Sequence, residues 1–252
     1  SDLYTVDDFK PFDSKSRTWT LKDGVVNSSP LSGDPRPGNA KFKKLTPVDE
    51  NSANPYTLTD DDRTVIGNTT PKFSGGFGLN ATFKGFDVSA FFNFMYDFDV
   101  FNANKVMMTT WASNNYNNFS MDISAAKRWR NFDDMGNEIR YSPEILAEFN
   151  KNATMWNPTS IGRPIAMSYA VEDGSFLRLN TATIGYTLPR AWTNKVGLSR
   201  VRFYASGYNL FTITGYSGYD PEVDIATGLT PNIDNNRYPR SRTYTFGVQL
   251  TF

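Results

Sequence analysis

The last nine residues of the sequence alternate strictly between two kinds of side chain. The first kind is apolar and consists of Tyr244, Phe246, Val248, Leu250 and Phe252. The second kind is small or polar and consists of Thr245, Gly247, Gln249 and Thr251. Because successive side chains on a β-strand point to opposite faces, this pattern predicts a strand with one apolar and one polar face. The length is close to the about 9–11 residues that a tilted transmembrane β-strand needs. A terminal aromatic residue favours a membrane-barrel strand, covered by lipid, over the edge strand of a soluble sandwich.

Composition excludes several kinds of chemistry. The 252 residues include no cysteine and no histidine, and the formal net charge is zero. Disulfides, thiolate metal sites, thiol catalysis and a Ser-His-Asp triad are therefore excluded within this sequence, and the balanced charge gives no basis for binding nucleic acid. The sequence contains no run of about 18 apolar residues, which excludes a transmembrane helix but not membrane β-strands, since these are only half apolar.

A second alternating segment predicts a strand over residues 86–101. From Phe86 to Val100 the even positions are all apolar, and the odd positions carry three aspartates, a serine and an asparagine beside Phe91 and Met95. A charge on a lipid-facing side chain costs about 2–4 kcal/mol for Arg or Lys at mid-membrane, so a charge-free face is expected of a spanning strand. Residues 72–84 have the same alternation, and Lys84-Gly85 between the two segments predicts a hairpin turn.

Two further strands are predicted over residues 175–188 and 200–214, and residues 241–252 form the fifth. In the third strand Leu177 and Leu179 are out of phase with Ala182 and Ile184, which predicts a β-bulge near Asn180-Thr181. The alternation of the fourth strand is lost near Asn209-Leu210. The fold class predicted is all-β, with about five antiparallel strands.

Short and long connections alternate along the chain. Residues 1–71, 102–170 and 215–240 are long connecting regions, whereas the first and third strands are followed by short ones. Short turns at one end and long loops at the other are typical of outer-membrane barrels, whose long loops are extracellular. Within these loops, Ser120–Arg130 and Pro143–Asn150 are candidate short helices, the second because Ser142-Pro143 is a favourable start.

Motifs spread along the sequence resemble, in order, the late barrel of SusC-like (RagA-like) TonB-dependent outer-membrane transporters, over about residues 36–252. They include Arg63-Thr-Val-Ile-Gly-Asn68, Lys84-Gly-Phe-Asp-Val-Ser-Ala-Phe-Phe92, Leu177-Arg-Leu179, Ile184-Gly-Tyr-Thr-Leu-Pro189, Ser206-Gly-Tyr-Asn-Leu-Phe-Thr-Ile213, Gly218-Tyr-Asp-Pro-Glu222 and Tyr238-Pro-Arg-Ser-Arg-Thr-Tyr-Thr-Phe246. The resemblance implies that residues 72–252 are the C-terminal strands of a 22-stranded transmembrane barrel. It also implies a non-enzymatic importer of glycans or peptides in the outer membrane of a Gram-negative bacterium.

The resemblance further implies several partners. A SusD-like surface lipoprotein would close over the extracellular loops, and TonB would supply energy through an N-terminal part that this sequence lacks. Five strands cannot close a barrel, since bacterial barrels begin at eight, and an open sheet edge is not viable in lipid. We therefore expect the remainder of the same barrel and its plug to complete this chain, which begins with Ser rather than Met and is a processed product, a fragment or part of a longer chain.

Four aromatic residues of the longest loop are candidates for contact with substrate or lid: Trp111, Tyr116, Trp129 and Trp156. Aromatic rings offer flat faces to sugars and large contact areas to protein partners. Three interpretations stay open, namely the core of the loop, contact with the lid lipoprotein, and direct contact with an oligosaccharide or peptide substrate.

Other candidate residues are polar or terminal. The residues expected to face the barrel lumen are Asp87, Asn93, Asp97 and Asp99, as substrate-steering groups or ordinary polar lining. Asp60, Asp61 and Asp62 form a carboxylate cluster that suits calcium, but the stretch before it lacks glycine and its spacing is irregular, so a solvated loop is the favoured alternative; no other cofactor is expected. The resemblance implies that the barrel-insertion machinery reads the terminal aromatic residue, Phe252.

Two other functions compete with transport. A carbohydrate-binding surface module or adhesin would use the same aromatic residues without lipid, but it needs a second sheet to cover the apolar face of residues 86–101, and the long loops offer few strands for one. A glycoside hydrolase needs two carboxylic acids as acid and base. Many aspartates occur, yet no pair stands out.

Overall fold

The structure is a computed structural model that describes residues 2–111, 119–161, 165–223 and 231–252. The chain divides into two compact units. Unit 1 consists of Ser1–Ile66 and Ala103–Ala170, and unit 2 consists of Gly67–Asn102 and Val171–Phe252. The sequence did not indicate that the first 66 residues pack with the long loop rather than forming a separate region.

The strands have these bounds: β1 Asp2–Leu3, β2 Ala40–Lys41, β3 Phe73–Phe83, β4 Phe86–Tyr96, β5 Asp99–Asn102, β6 Val171–Asp173, β7 Phe176–Thr187, β8 Arg200–Thr214, β9 Ile233–Asp234 and β10 Thr243–Thr251. The α-helices are α1 Ser29–Ser32, α2 Ala103–Thr109, α3 Pro143–Phe149 and α4 Arg190–Thr193. Single 3₁₀ turns occur at Val6–Asp8, Asp60–Asp62, Met121–Ile123, Pro158–Ser160, Ser168–Ala170 and Asn194–Val196. Of the helices in the described residues, none has the length and apolarity needed to cross a membrane.

Unit 2 is built on a five-stranded antiparallel sheet in the order β10-β8-β7-β4-β3. The hairpin predicted at Lys84-Gly85 joins β3 to β4, and both residues have the positive φ angles, 47° and 88°, that a tight primed turn requires. The predicted all-β fold with five antiparallel strands is therefore confirmed.

A bulge keeps the apolar residues of β7 on one face. Thr181 pairs with Phe91 and Leu179 pairs with the next residue, Phe92, so that Asn180 is left over. On the other side of β7, Leu179 pairs with Phe211 and Thr181 with Tyr208 of β8, so Asn209 and Leu210 are left unpaired. Asn209 has a φ of 52°. The bulge predicted near Asn180-Thr181 is thus present, and it explains why the two leucines before it appear out of phase in the sequence.

The second predicted strand was too long. β4 ends at Tyr96, because Asp97 adopts a left-handed conformation with φ 59° and its amide donates to the Ser175 hydroxyl at 2.9 Å. After this turn β5 joins a separate three-stranded sheet, antiparallel to β6 and parallel to β9. The alternation continues across the turn because Phe98 and Val100 enter a loop core with Phe176, Tyr216 and Val223.

Unit 1 has two hydrophobic clusters of its own. One contains Ala40, Ile123, Met155, Trp156, Ile161 and Met167, and the other contains Trp129, Ile139 and Leu146. The helix predicted at 143–150 is present as α3, but the one predicted over 120–130 is a single 3₁₀ turn. Its chain is extended at Ser124 and then bridges from Arg128 to Met155, so those residues pair with a distant segment instead of continuing a helix.

Candidate functional site

The five-stranded sheet has one continuous apolar face. Across it the register places apolar or glycine residues beside one another from strand to strand, as in the row Leu79, Ala90, Ala182, Gly207 and Tyr244. Many of these side chains are exposed, including Phe73 64%, Phe83 70%, Leu79 60%, Val248 54% and Phe246 80%. Every residue on this face is uncharged. Soluble monomers rarely expose contiguous apolar patches larger than a few hundred Å², so this face requires a covering.

The opposite face of the same strands is polar, and its central feature is an ion pair between Asp87 on β4 and Arg202 on β8. The Arg202 Nε donates to the Asp87 carboxylate at 2.9 Å, and Nη2 contacts the second carboxylate oxygen. The two strands are separated by β7, and the pair crosses it at Gly185, where a Cβ would lie 2.6 Å from the Asp87 oxygen. Glycine at this position therefore leaves space for a bidentate pair that spans three strands.

Only two of the four predicted lumen residues lie on this polar face. Asp87 is one, and Asn93 is the other; the Asn93 Oδ1 is buried and has no hydrogen-bond partner among the described residues. Asp97 and Asp99 lie beyond the end of β4 because of the turn at residue 97. Asp97 pairs with Lys72, and Asp99 accepts a hydrogen bond from the Asn68 amide at 2.7 Å. Their placement on the strand face was wrong.

A buried charge network joins β7 to the loop that follows β8. Arg178, only 3% exposed, bonds to Asp220 at 2.5 Å, and Glu222 accepts from Arg240 at 2.7 Å. Burial raises the pKa of the Asp220 carboxyl, but hydrogen bonds from Arg178 and from the Glu222 amide outweigh it, so the pKa lies below its usual value. This network holds the Gly218–Glu222 motif, which the sequence singled out without indicating its partner.

The aromatic candidates divide into two groups. Trp129 and Trp156 are 3% and 2% exposed and belong to the cores of unit 1, so for these two residues the loop-core interpretation holds and contact with substrate or lid does not. Trp111 is 48% exposed and stacks on Phe119 with ring centroids 5.5 Å apart, so it remains a surface candidate. Tyr116 lies outside the described residues. Sequence cannot distinguish these cases, since a tryptophan in a long loop serves as a core or a contact residue equally well.

The carboxylates at 60–62 do not converge. Asp62 accepts hydrogen bonds from the backbone amides of Leu45 and Thr46 at 2.9 and 2.8 Å and pairs with Lys44. Burial raises the pKa of Asp62, but these donors reverse the effect and hold it far below its usual value. Asp60 pairs instead with the adjacent Arg63. Within the described ranges no group of three or more acidic side chains is arranged to hold a metal ion, so the calcium expectation gains no geometric support.

The terminal residue, Phe252, is 91% exposed and follows β10 directly. Its carbonyl accepts a hydrogen bond from the Ser199 hydroxyl at 3.3 Å, which fixes the end of the chain beside the start of β8. Its role in assembly stays a prediction.

A sheet with one charge-free apolar face, one polar face with buried or partly buried ion pairs, and strand ends connected by extensive loops defines the class of membrane-barrel proteins. No family model matches the sequence. TonB-dependent receptor P3 of Formosa agariphila is 32% identical over 228 residues, which are 88% of this chain and 20% of the relative. TonB-dependent receptor SusC of Bacteroides thetaiotaomicron is 32% identical over 164 residues, 60% of this chain and 15% of the relative.

Solved structures give the same result for the fold. The RagAB peptide transporter matches with a TM-score of 0.55 and 24% identity, over 78% of this chain and 19% of that chain. The RagAB peptide importer in its closed-closed state matches with a TM-score of 0.54 and 22% identity, over 100% of this chain and 22% of that chain. The resemblance stated from the sequence is thus confirmed: the chain corresponds to a portion of a SusC-like TonB-dependent receptor. It spans about a fifth of the length of TonB-dependent receptors P3 and P26 of Formosa agariphila.

Proposed function

We propose that this chain supplies five neighbouring strands and a loop unit to the barrel wall of a TonB-dependent importer in the outer membrane of a Gram-negative bacterium. The observation that carries the proposal is the continuous apolar face of the sheet, which lipid would cover, opposite a polar face suited to a wet interior. All interior strands pair on both sides, which satisfies the backbone groups that lipid cannot.

The dimensions of the apolar face support this. It is bounded at the hairpin end by Phe83, Phe86 and Tyr186, and at the other end by Phe73 and Tyr96. The ten residue steps from Phe86 to Tyr96 correspond to about 33 Å along the strand at about 3.3 Å per residue. Tilted by about 40°, that length projects to about 25 Å, the height of the apolar band between the aromatic girdles of outer-membrane barrels.

The finer parts of the function follow from the resemblance and from the names of the relatives. We propose import of glycans or peptides without covalent chemistry, driven by TonB, with the rest of the barrel and its plug completing the wall. A SusD-like lipoprotein would serve as the lid. The exposed rings of Trp111, Tyr219 and Tyr238, at 48%, 81% and 92% exposure, are among the aromatic surfaces available for contact with such a partner.

The competing function is a carbohydrate-binding surface module or adhesin without a transport role. In the described residues the only other sheets have two and three short strands, and neither is long enough to cover an eleven-residue strand face. The apolar face therefore favours lipid over a second sheet as its covering.

The test is to express the full-length receptor that contains this sequence and to follow its location and its transport. We expect it to resist extraction of outer membranes with urea, to migrate faster on electrophoresis before heating than after, and to support uptake of glycan or peptide only in cells with functional TonB. Release into solution without detergent, or unchanged uptake in cells without TonB, would overturn the proposal.

A further inference from the structure

The apolar face of the sheet in unit 2 contains a groove of about 470 Å³ near the hairpin end of the strands. Its floor is Ala205 of β8, which pairs with Ile184 of β7 on one side and with Phe246 of β10 on the other. Ile184, Phe203 and Phe246 line the groove, and all three are exposed. A small residue among large ones therefore leaves a furrow in the surface that lipid would cover.

The groove is short enough to lie within one leaflet of a bilayer. Towards the loops it is bounded by Leu210, because a Cβ at Gly207, the next apolar-face position on β8, would lie 2.5 Å from the Leu210 side chain. The four residue steps from Phe203 to Gly207 span about 13 Å along the strand. Tilted by about 40°, this length is about 10 Å along the membrane normal, whereas half of the hydrocarbon core is about 15 Å thick.

The two chain connections at this end of the strands carry only positive charges. Residues 83–86 and 188–199 include Lys84, Arg190 and Lys195 but no aspartate or glutamate, and we call these three residues the basic rim. All three are exposed, and none forms an ion pair with the described residues. By contrast, Arg178 and Arg202 on the strands each bind a carboxylate. The charges of the basic rim are therefore available to an anionic partner.

Lys84 links the basic rim to the apolar face. Its Nζ lies 5.2 Å from the centre of the Phe83 ring, which belongs to that face, and Phe86, two residues further on, lines the groove. Two residues correspond to about 7 Å along the strand, or about 5 Å along the membrane normal. The headgroup layer on each side of the hydrocarbon core is about 5–7 Å thick. A cation at the position of Lys84 thus lies at the depth of the lipid phosphates.

The connection between β7 and β8 also suits a membrane interface. Trp192 of α4 and Val196 of the following 3₁₀ turn are four residues apart, which makes them neighbours on a helical surface, and they are 62% and 70% exposed. Thr193, which follows the tryptophan, is buried. Tryptophan is enriched where a membrane meets water, so a ring held there would place the nearby Arg190 and Lys195 among the lipid headgroups.

We propose that an anionic phospholipid binds at this end of the apolar face, with its phosphate among the side chains of the basic rim and one acyl chain in the groove over Ala205. A zwitterionic lipid would fill the groove but bring no net charge to the three cations. An acidic polypeptide would match the charges but not the groove. The proposal rests on the lipid-facing assignment of the proposed function and adds the chemical class of the lipid.

The experiment is a competition between phosphatidylglycerol and phosphatidylcholine with identical acyl chains. Lipid bound to the purified full-length receptor in a neutral detergent is counted by native mass spectrometry. The basic-rim variant is K84Q/R190Q/K195Q, and the groove variant is Ala205→Leu, which stays apolar. The matched control is Arg200→Gln, an exposed arginine at the same end of β8 that is in phase with Arg202 and so belongs to the polar face.

We expect the wild type to bind phosphatidylglycerol more tightly than phosphatidylcholine. One Lys or Arg near an anionic lipid contributes about 5-fold in affinity, so the basic-rim variant should lose about 100-fold for phosphatidylglycerol and little for phosphatidylcholine. Ala205→Leu should weaken both lipids, because it fills the groove, and Arg200→Gln should bind like the wild type. Each variant's electrophoretic mobility before and after heating shows whether its barrel is folded.

Four results would overturn the proposal. They are equal binding of the two lipids by the wild type, an undiminished preference in the basic-rim variant, an equal loss in Arg200→Gln, and competition by soluble glycerol phosphate as effective as by phosphatidylglycerol. A receptor dimer that Ala205→Leu dissociates in lipid-free detergent would place a second copy in the groove and also overturn it.

Failure of this site and failure of the transport function give different results. TonB-dependent uptake by a receptor without lipid preference keeps the transport function and removes the lipid site. A rim-dependent lipid preference in an inserted receptor without TonB-dependent uptake supports the lipid site and contradicts transport.

Discussion

The adjacent residues Leu79 and Asn80 test the lipid-facing surface directly, because they lie near the middle of β3 on opposite faces of the sheet. Leu79 is 60% exposed and packs into no core, so in water Leu79→Arg would change stability by only about 0.5 kcal/mol. In lipid the same change places a charge near mid-membrane and costs about 2–4 kcal/mol. At about 1.4 kcal/mol per factor of ten, that is a shift of about 30- to 700-fold in the folding equilibrium.

The assay is the free energy of unfolding of the full-length receptor in lipid vesicles, titrated with urea, together with its amount in the outer membrane. Asn80→Arg is the control, since Asn80 pairs with Ser89 on the polar face and is exposed there. We expect Leu79→Arg to reduce both quantities and Asn80→Arg to leave both near wild type. Equal stability of the two variants would refute the lipid-facing assignment of the sheet, and a greater loss in Asn80→Arg would mean that the two faces are reversed.

Three further predictions concern other parts of unit 2. Gly185→Ala should separate Asp87 from Arg202 and reduce their coupling energy, measured in a double-mutant cycle, towards zero. The control Gly78→Ala should be neutral, because its Cβ would meet its neighbours at 3.7 Å or more. An undiminished coupling energy in Gly185→Ala would show that the ion pair does not need the glycine. Because the pKa of Asp220 is lowered in the folded protein, its carboxylate stabilises the fold above about pH 4, the pKa of the unfolded state, and this contribution is lost as the pH falls towards the folded pKa. Asp220→Asn should therefore make the free energy of unfolding less dependent on pH in the acid range. An unchanged pH dependence would contradict this. Deleting Phe252 should lower the amount of assembled receptor in the outer membrane without changing its synthesis, and an unchanged outer-membrane yield on immunoblots would remove its assembly role.

The sequence predicted the strands well because the alternation of side chains between two faces is a property of the strand itself and does not depend on what packs against it. It also predicted the bulge in β7, since a single extra residue shifts Leu177 and Leu179 out of phase with Ala182. It failed at Asp97 for a related reason. Phe98 and Val100 continue the alternation of β4, yet they are 2% and 0% exposed in a loop core, and an apolar period of two is identical for a lipid face and for a second core.

The candidate sites were harder to predict because they depend on distant pairings. Arg178 lies between two apolar-face leucines, and a buried cation requires a carboxylate, but only the structure brings Asp220 to it. For the aromatic residues of the long loop, the sequence left core and contact roles open, because residue type alone carries no information about burial.

The two faces of the sheet also explain why two apolar-glycine-apolar triplets occur in the strands on either side of β8. In Ile184-Gly185-Tyr186 and Phe246-Gly247-Val248 the outer residues belong to the apolar face, and both glycines lie directly beside Tyr204 on the polar face. A Cβ at Gly247 would overlap the Tyr204 ring, and one at Gly185 would meet the Arg202 guanidinium, which itself lies 5.3 Å from the centre of that ring. The strand period therefore lets each triplet place its outer residues on the apolar face while its glycine leaves space on the polar face for a large tyrosine and a bridging arginine. A side chain at either glycine would displace Tyr204 or Arg202, so the two positions are constrained by the polar face and not by the apolar one.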